Sequence, residues 1–189
     1  MKNVIIGSVV AAFIVFFFQG LSWMVLPIHK HSFKYTPQQN TILSALTENL
    51  PADGMYALPT LDPDTATPEQ MEEFNKSMEG KPWAVVQYHK SYSGMMTERL
   101  VCGFLLDLLS ALVVGHIMWT TREKFPGVGP KLGLVLAVVT FMILQDTLMQ
   151  ANWMETPWHF LSGTVLDHII GWTLGGTWLA WFIGKKQTV

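Results

Sequence analysis

The stretch GTVLDHIIGWTLGG, Gly163 to Gly176, sets an Asp and a His side by side in a run otherwise fit for hydrocarbon. A carboxyl and an imidazole held out of water can share a proton, hold a cation or hydrogen-bond a neighbouring helix. Two further acids interrupt apolar runs in the same way: Asp107 in GFLLDLLSALVVG, and Asp146, which follows Gln145. Asp107, Asp167, His168, Asp146 and Gln145 are therefore the candidate intramembrane polar cluster.

Written one above the other, two of these runs place small or acidic residues at every fourth position. They are Gly103, Asp107, Ala111 and Gly115 in one, and Gly163, Asp167, Gly171 and Gly175 in the other. A four-residue step keeps a helical face, and small residues at that step let helices approach closely in lipid. Gly103, Gly115, Gly163, Gly171 and Gly175 thus read as helix-packing positions, with each Asp in the seam. Each Asp falls ten residues past an outer boundary, Thr97 or Pro157, so both carboxyls are expected at a similar depth of roughly 15 Å. If the two runs face each other, the carboxylates cannot both be charged cheaply, and the pair should hold a proton, a cation or a base. The structural alternative is interhelical hydrogen bonding, worth about a kilocalorie per bond. That alternative weighs more, because only one or two polar groups interrupt each run and no continuous polar face lines a pore.

His29 and His31 form a second candidate. On an extended chain the HKH spacing puts both imidazoles on one side, and Met95, Met96, Met154 and His159 belong to the same membrane face. Imidazole and thioether suit copper; the plainer reading is an interfacial stretch with methionines filling gaps. A haem held between His116 and His168 is disfavoured, since their depths differ by roughly 18 Å. No cofactor is expected. There is no phosphate-binding loop, no H-E-x-x-H and no G-x-S-x-G, so the chain reads as non-catalytic. The loop TTREKFPGVGPK is too short for a nucleotide site, and no basic patch points to nucleic acid.

The elements that must position these groups are membrane spans. Of 189 residues, 50% are hydrophobic and 14% charged, against about a quarter charged in soluble domains. Runs long enough to cross ~30 Å of hydrocarbon cover Val4 to Leu26, Leu100 to Thr120, Leu132 to Asn152 and Trp158 to Gly184. The first lacks a small-residue cleavage site and reads as a retained anchor. Lys2, Arg122, Lys124, Lys131, Lys185 and Lys186 fall on one side if both termini are cytoplasmic. The expected order is span one (1–26), an extracytoplasmic module (27–97), span two (98–120), a cytoplasmic loop (121–131), span three (132–152) and span four (157–184). Gly7, Ala11, Val15 and Gln19 match Gly133, Ala137, Phe141 and Gln145 at a four-residue step. The four spans then form a tandem helical-hairpin repeat about an axis along the membrane normal. Cys102 is the single cysteine, so no internal disulfide can form.

The module repeats a helix-start signal: Thr36, Pro37 and Gln39, then Thr67, Pro68 and Gln70, each suited to N-cap, first helical position and capping box. An α-β-α-β order follows. About seventy residues is marginal for a free-standing core, so the module should lean on the bilayer or on a partner.

With its GLSWMVLP exit from the first span and ETPWHFLSGTVLDHIIGW leading into the last, the chain resembles small bacterial four-helix inner-membrane proteins grouped as a domain of unknown function. The resemblance covers the spans and not the module. It implies a mainly α, polytopic inner-membrane fold and carries no activity. The expected role is an accessory or assembly component, with the lipid bilayer, other membrane subunits or further copies of itself as partners. The competing classes are a small proton- or cation-coupled transporter using the Asp pair, and copper handling at His29 and His31.

Overall fold

A computed structural model describes residues 2–184; Lys185 and Lys186, used above for orientation, lie outside the described residues. The chain divides into two compact units, one of the segments before and after the inserted module and the other spanning Tyr35–Gly94.

The first unit is a helical bundle. Its helices are α1 (Lys2–Met24), α4 (Met96–Thr120), α5 (Val128–Met142), α6 (Leu148–Trp153) and α7 (Trp158–Gly184). A π-helical turn, Ile143–Thr147, joins α5 to α6 in one continuous rod. Three helices are long and apolar enough to cross a membrane: Lys2–Met24, Met96–Thr120 and the rod Val128–Trp153. The fourth long helix, α7, is not among them. It buries ten residues, including Asp167, Trp172 and four glycines.

α1 is the hub. Its buried residues Val4, Gly7, Ser8, Ala11, Ala12 and Val15 recur at steps of three and four, which wraps a small-residue surface around two adjacent faces. One face takes α4 and the other α7, while α5 packs on α7 and direct contact between α4 and α7 is slight. On the α4 side, Ser8 Oγ donates to the Ala111 carbonyl at 2.9 Å, and a Cβ on Gly115 would come within 2.8 Å of that hydroxyl. On the α7 side, a Cβ on Gly175 would come within 2.8 Å of Val15, and Trp178 Nε1 donates to the Gly7 carbonyl at 3.1 Å. The core joining these faces includes Ala12, Met118, Val135, Val139, Trp172 and Leu179.

The second unit follows the expected order: α2 (Gln39–Asn49), β1 (Gly54–Leu58), α3 (Pro68–Met78) and β2 (Ala84–Tyr88). The strands pair antiparallel, from Gly54 opposite Tyr88 to Leu58 opposite Ala84. At α3 the capping box forms as read: Gln70 N donates to Thr67 Oγ1 at 3.3 Å, and Thr67 N to Gln70 Oε1 at 2.9 Å. At α2 it does not. Thr36 Oγ1 instead accepts from Gln38 N, a local turn that delays the helix start to Gln39. Asp53 closes the open end of the hairpin, accepting from Lys90 N at 3.0 Å and facing His89 Nδ1 at 3.4 Å. Those contacts hold its carboxyl below the usual aspartate range, the backbone bond from Lys90 contributing most. Of residues 35–94 only Leu50 and Tyr88 are buried.

Candidate functional site

The polar groups gather toward the end of the bundle where α1 stops and α4 and α7 begin. α1 ends at Met24, whereas α7 starts nine residues before Asp167, so α1 is too short to cover the first turns of α7. The following segment fills that space. Pro27 opens a short 3-10 turn, Pro27–His29, which folds the chain back along α7 and brings Phe33 edge-on to Phe160 at 5.5 Å.

His29 sits at the centre of this fold-back. Its side chain is 3% exposed, and Nε2 donates to Asp167 Oδ2 at 2.8 Å. Its Nδ1 faces Ser32 Oγ at 3.3 Å. The ring stacks on Trp23 at 3.8 Å between centroids, with planes 8° apart. Gly163 forms the floor: a Cβ there would lie 2.6 Å from the imidazole Cε1. The other oxygen of Asp167 accepts from Ser22 Oγ. The carboxylate of Asp167 is therefore shared between the last turn of α1 and the segment beyond it.

Asp107 has a different environment. Gln19 Nε2 donates to its Oδ1 at 3.4 Å, and its Oδ2 is buried with no hydrogen-bond partner. Gln19 and Ser22 stand three residues apart on α1, so each acidic helix is tied to α1 within one turn of the other. The expected Asp107–Asp167 pair is replaced by two separate attachments, and among the described residues no hydrogen bond joins the two carboxylates. The physical reason is the double small-residue surface of α1, which lets both glycine seams dock on it and places it between α4 and α7. Asp167 lies level with Ser22, two residues from the end of α1.

The remaining candidates lie on the far side of α7. His168, half-buried, is within electrostatic reach of Asp167 and of Asp146, because the π turn packs on α7. Asp146 is exposed and accepts from Gln150 Nε2 at 3.3 Å; Gln145 is also exposed. Thr147, between these and α6, is 1% exposed with an unpartnered hydroxyl.

The glycine positions divide by contact. Gly115, Gly163 and Gly175 admit no Cβ without displacement, whereas Cβ atoms on Gly103 and Gly171 would make ordinary contacts with Phe16 and Phe18. Gly163 packs on an imidazole and not on a helix backbone. Gly176, which the four-residue step passes over, would meet Val135 at 2.8 Å.

For metal, His29 turns both ring nitrogens inward to Asp167 and Ser32, while His31 is exposed. The folded-back turn thus separates the two imidazoles that an extended HKH would align. Among the described residues no three His, Cys, Asp or Glu side chains gather as a metal site. Sequence reasoning missed Ser22, Ser32 and the stacking of Trp23. The available signal was Pro27 so soon after the span, marking a turn that returns the chain to the bundle.

No family model, no curated protein and no solved structure matches this chain.

Proposed function

We propose that the protein is a non-catalytic, multi-pass component of a larger bacterial inner-membrane complex, in which the polar groups of the bundle lock its helices and the module engages a partner. On this reading α7 is the fourth span, both termini are cytoplasmic and the module is extracytoplasmic. The observation that carries it is the bareness of the module. Sixty residues that bury only Leu50 and Tyr88, while Trp83, Met55, Leu43 and Tyr92 stay exposed, lack the apolar burial that offsets chain entropy. A covering surface supplies that burial. The bonds of Asp167 to Ser22 and His29 support the structural part, since they consume the acid within the bundle.

The test is purification from native membranes in mild detergent, with mass spectrometry of co-migrating chains. The expected result is a stoichiometric second membrane protein, with residues 35–94 gaining protection from hydrogen exchange in its presence. Recovery of a lone, defined homo-oligomer with an unprotected module refutes the reading.

One observation favours proton or cation coupling instead: the unpartnered Oδ2 of Asp107 in the α1–α4 seam. That reading requires Asp107→Asn to abolish flux in proteoliposomes while the bundle still assembles.

A further inference from the structure

With α1 between α4 and α7, and α5 packed on α7, α4 and α5 scarcely touch. The gap they leave is a cleft of about 310 Å³ that Trp172 of α7 also lines, within the roughly 300–1,000 Å³ usual for ligand clefts. Val113 and Val114 line it from α4, Val135 and Val139 from α5, and no described residue lining it is charged. Branched side chains on a helix have little rotamer freedom, so these walls are stiff. α4 and the rod that contains α5 are both long and apolar enough to cross a membrane; the medium outside such a cleft is hydrocarbon.

Two hydrogen-bond donors lining this cleft lack acceptors. Trp172 is 5% exposed, yet its indole N–H makes no hydrogen bond among the described residues, whereas Trp178 on the same helix reaches the Gly7 carbonyl. Buried indoles usually find a partner. The hydroxyl of Ser110 is unpartnered as well. Those of Thr140, Thr173 and Thr177 each donate to the carbonyl four residues back, which satisfies a hydroxyl where water is absent. Ser110 does not close on its own helix in this way.

We propose that the cleft binds a membrane-soluble quinone, whose carbonyl oxygens accept from Trp172 Nε1 and Ser110 Oγ and whose apolar substituents lie along the valines. The site goes beyond the accessory reading and rests only on its placement of the bundle in a membrane. Donors without a charge suit a neutral acceptor. A plain hydrocarbon chain would leave both donors unpaired, at a cost. Depth excludes phospholipid esters. Ser110 is ten residues from the end of α4 and Trp172 twelve from the end of α7, roughly 15 and 18 Å along the axes, and each is roughly 21 Å from the other end of its helix. Ester oxygens stay at the edges of the ~30 Å hydrocarbon layer. A quinone carries its carbonyls into the interior of that layer.

The experiment uses the full chain in phosphatidylcholine nanodiscs and a decyl benzoquinone bearing an aryl azide, with labelled peptides mapped after illumination. The expected result is labelling confined to the α4 and α5 segments that line the cleft, competed by unlabelled decyl benzoquinone and not by added phosphatidylcholine. Val113→Phe, at a rim position 61% exposed, should lower labelling at least tenfold with the melting of the chain unchanged. Ser110→Ala and Trp172→Phe remove one donor each and should each weaken competition about fivefold, the loss of one ordinary hydrogen bond. Because Ser110 makes no bond in the bundle, its variant tests binding apart from folding. Labelling spread over the outer surfaces of α4 and the rod, labelling competed by phosphatidylcholine, or labelling indifferent to Val113→Phe and Ser110→Ala overturns the proposal. Cleft labelling by a chain that co-purifies with no partner upholds this site while the accessory reading falls; a partner without cleft labelling does the reverse.

Discussion

Gly163→Ala isolates the contact on which the fold-back of residues 25–33 depends. The added methyl would lie 2.6 Å from His29 Cε1 and 2.7 Å from Nδ1, well inside van der Waals separation. The ring cannot yield freely, because Trp23 stacks on one face and Asp167 holds Nε2. Overpacking of this kind costs about 1–3 kcal/mol, and loss of a hydrogen bond to a charged group about 1.5–3 kcal/mol. Helix propensity returns about 0.8–1 kcal/mol for replacing Gly by Ala. The net expectation is destabilisation by about 2–5 kcal/mol. The assay is reversible unfolding by SDS in mixed micelles, followed by tryptophan fluorescence. A double-mutant cycle makes it specific: in a His29→Ala background the methyl has room, so the same substitution should cost under about 1 kcal/mol, giving a coupling of at least about 1 kcal/mol. Equal costs in the two backgrounds, or a neutral Gly163→Ala in the parent chain, would show that the imidazole is not locked over Gly163.

Gly133→Ala should behave oppositely, neutral or stabilising by up to about 1 kcal/mol in the same titration, since its methyl enters open space. Asp107→Leu should cost about 1–2 kcal/mol by stranding the Gln19 amide, and adding Gln19→Leu should recover most of it because no unpaired polar group is left; failure to recover would point to a role for Asp107 beyond this bond. In the module, the lowered Asp53 pKa means that its contribution to hairpin closure is present above the ordinary aspartate pKa of about 3.9 and is lost as pH falls through the lower folded value. The Lys90 amide resonance should titrate below that ordinary value, and Asp53→Asn should abolish the titration; an amide that titrates unchanged in that variant refutes the closure.

Sequence periodicity carries the elements well because the forces that set them are local. Runs of twenty apolar residues, a Thr-Pro-x-Gln start at α3 and Gly54 after Asp53 each act within a few residues, and those helices and strands lie where the pattern puts them. The choice of partner is another matter. Small residues at Gly115 and Gly175 mark a close approach, but the step of four does not say to what, and both seams dock on α1.

What the sequence alone determined is therefore a mainly helical, membrane-compatible chain with a small α/β insert, and a set of polar groups that had to be placed out of water. What only the tertiary structure decided is how those groups pair. Asp107 and Asp167 looked like mates because they share a spacing; α1 stands between them because its small residues wrap around two faces. His29 looked like a partner for His31; the turn at Pro27 carries it instead to Asp167, 138 residues away. Pairing over such separations depends on which surfaces can approach closely once the helices pack, and no local pattern encodes that.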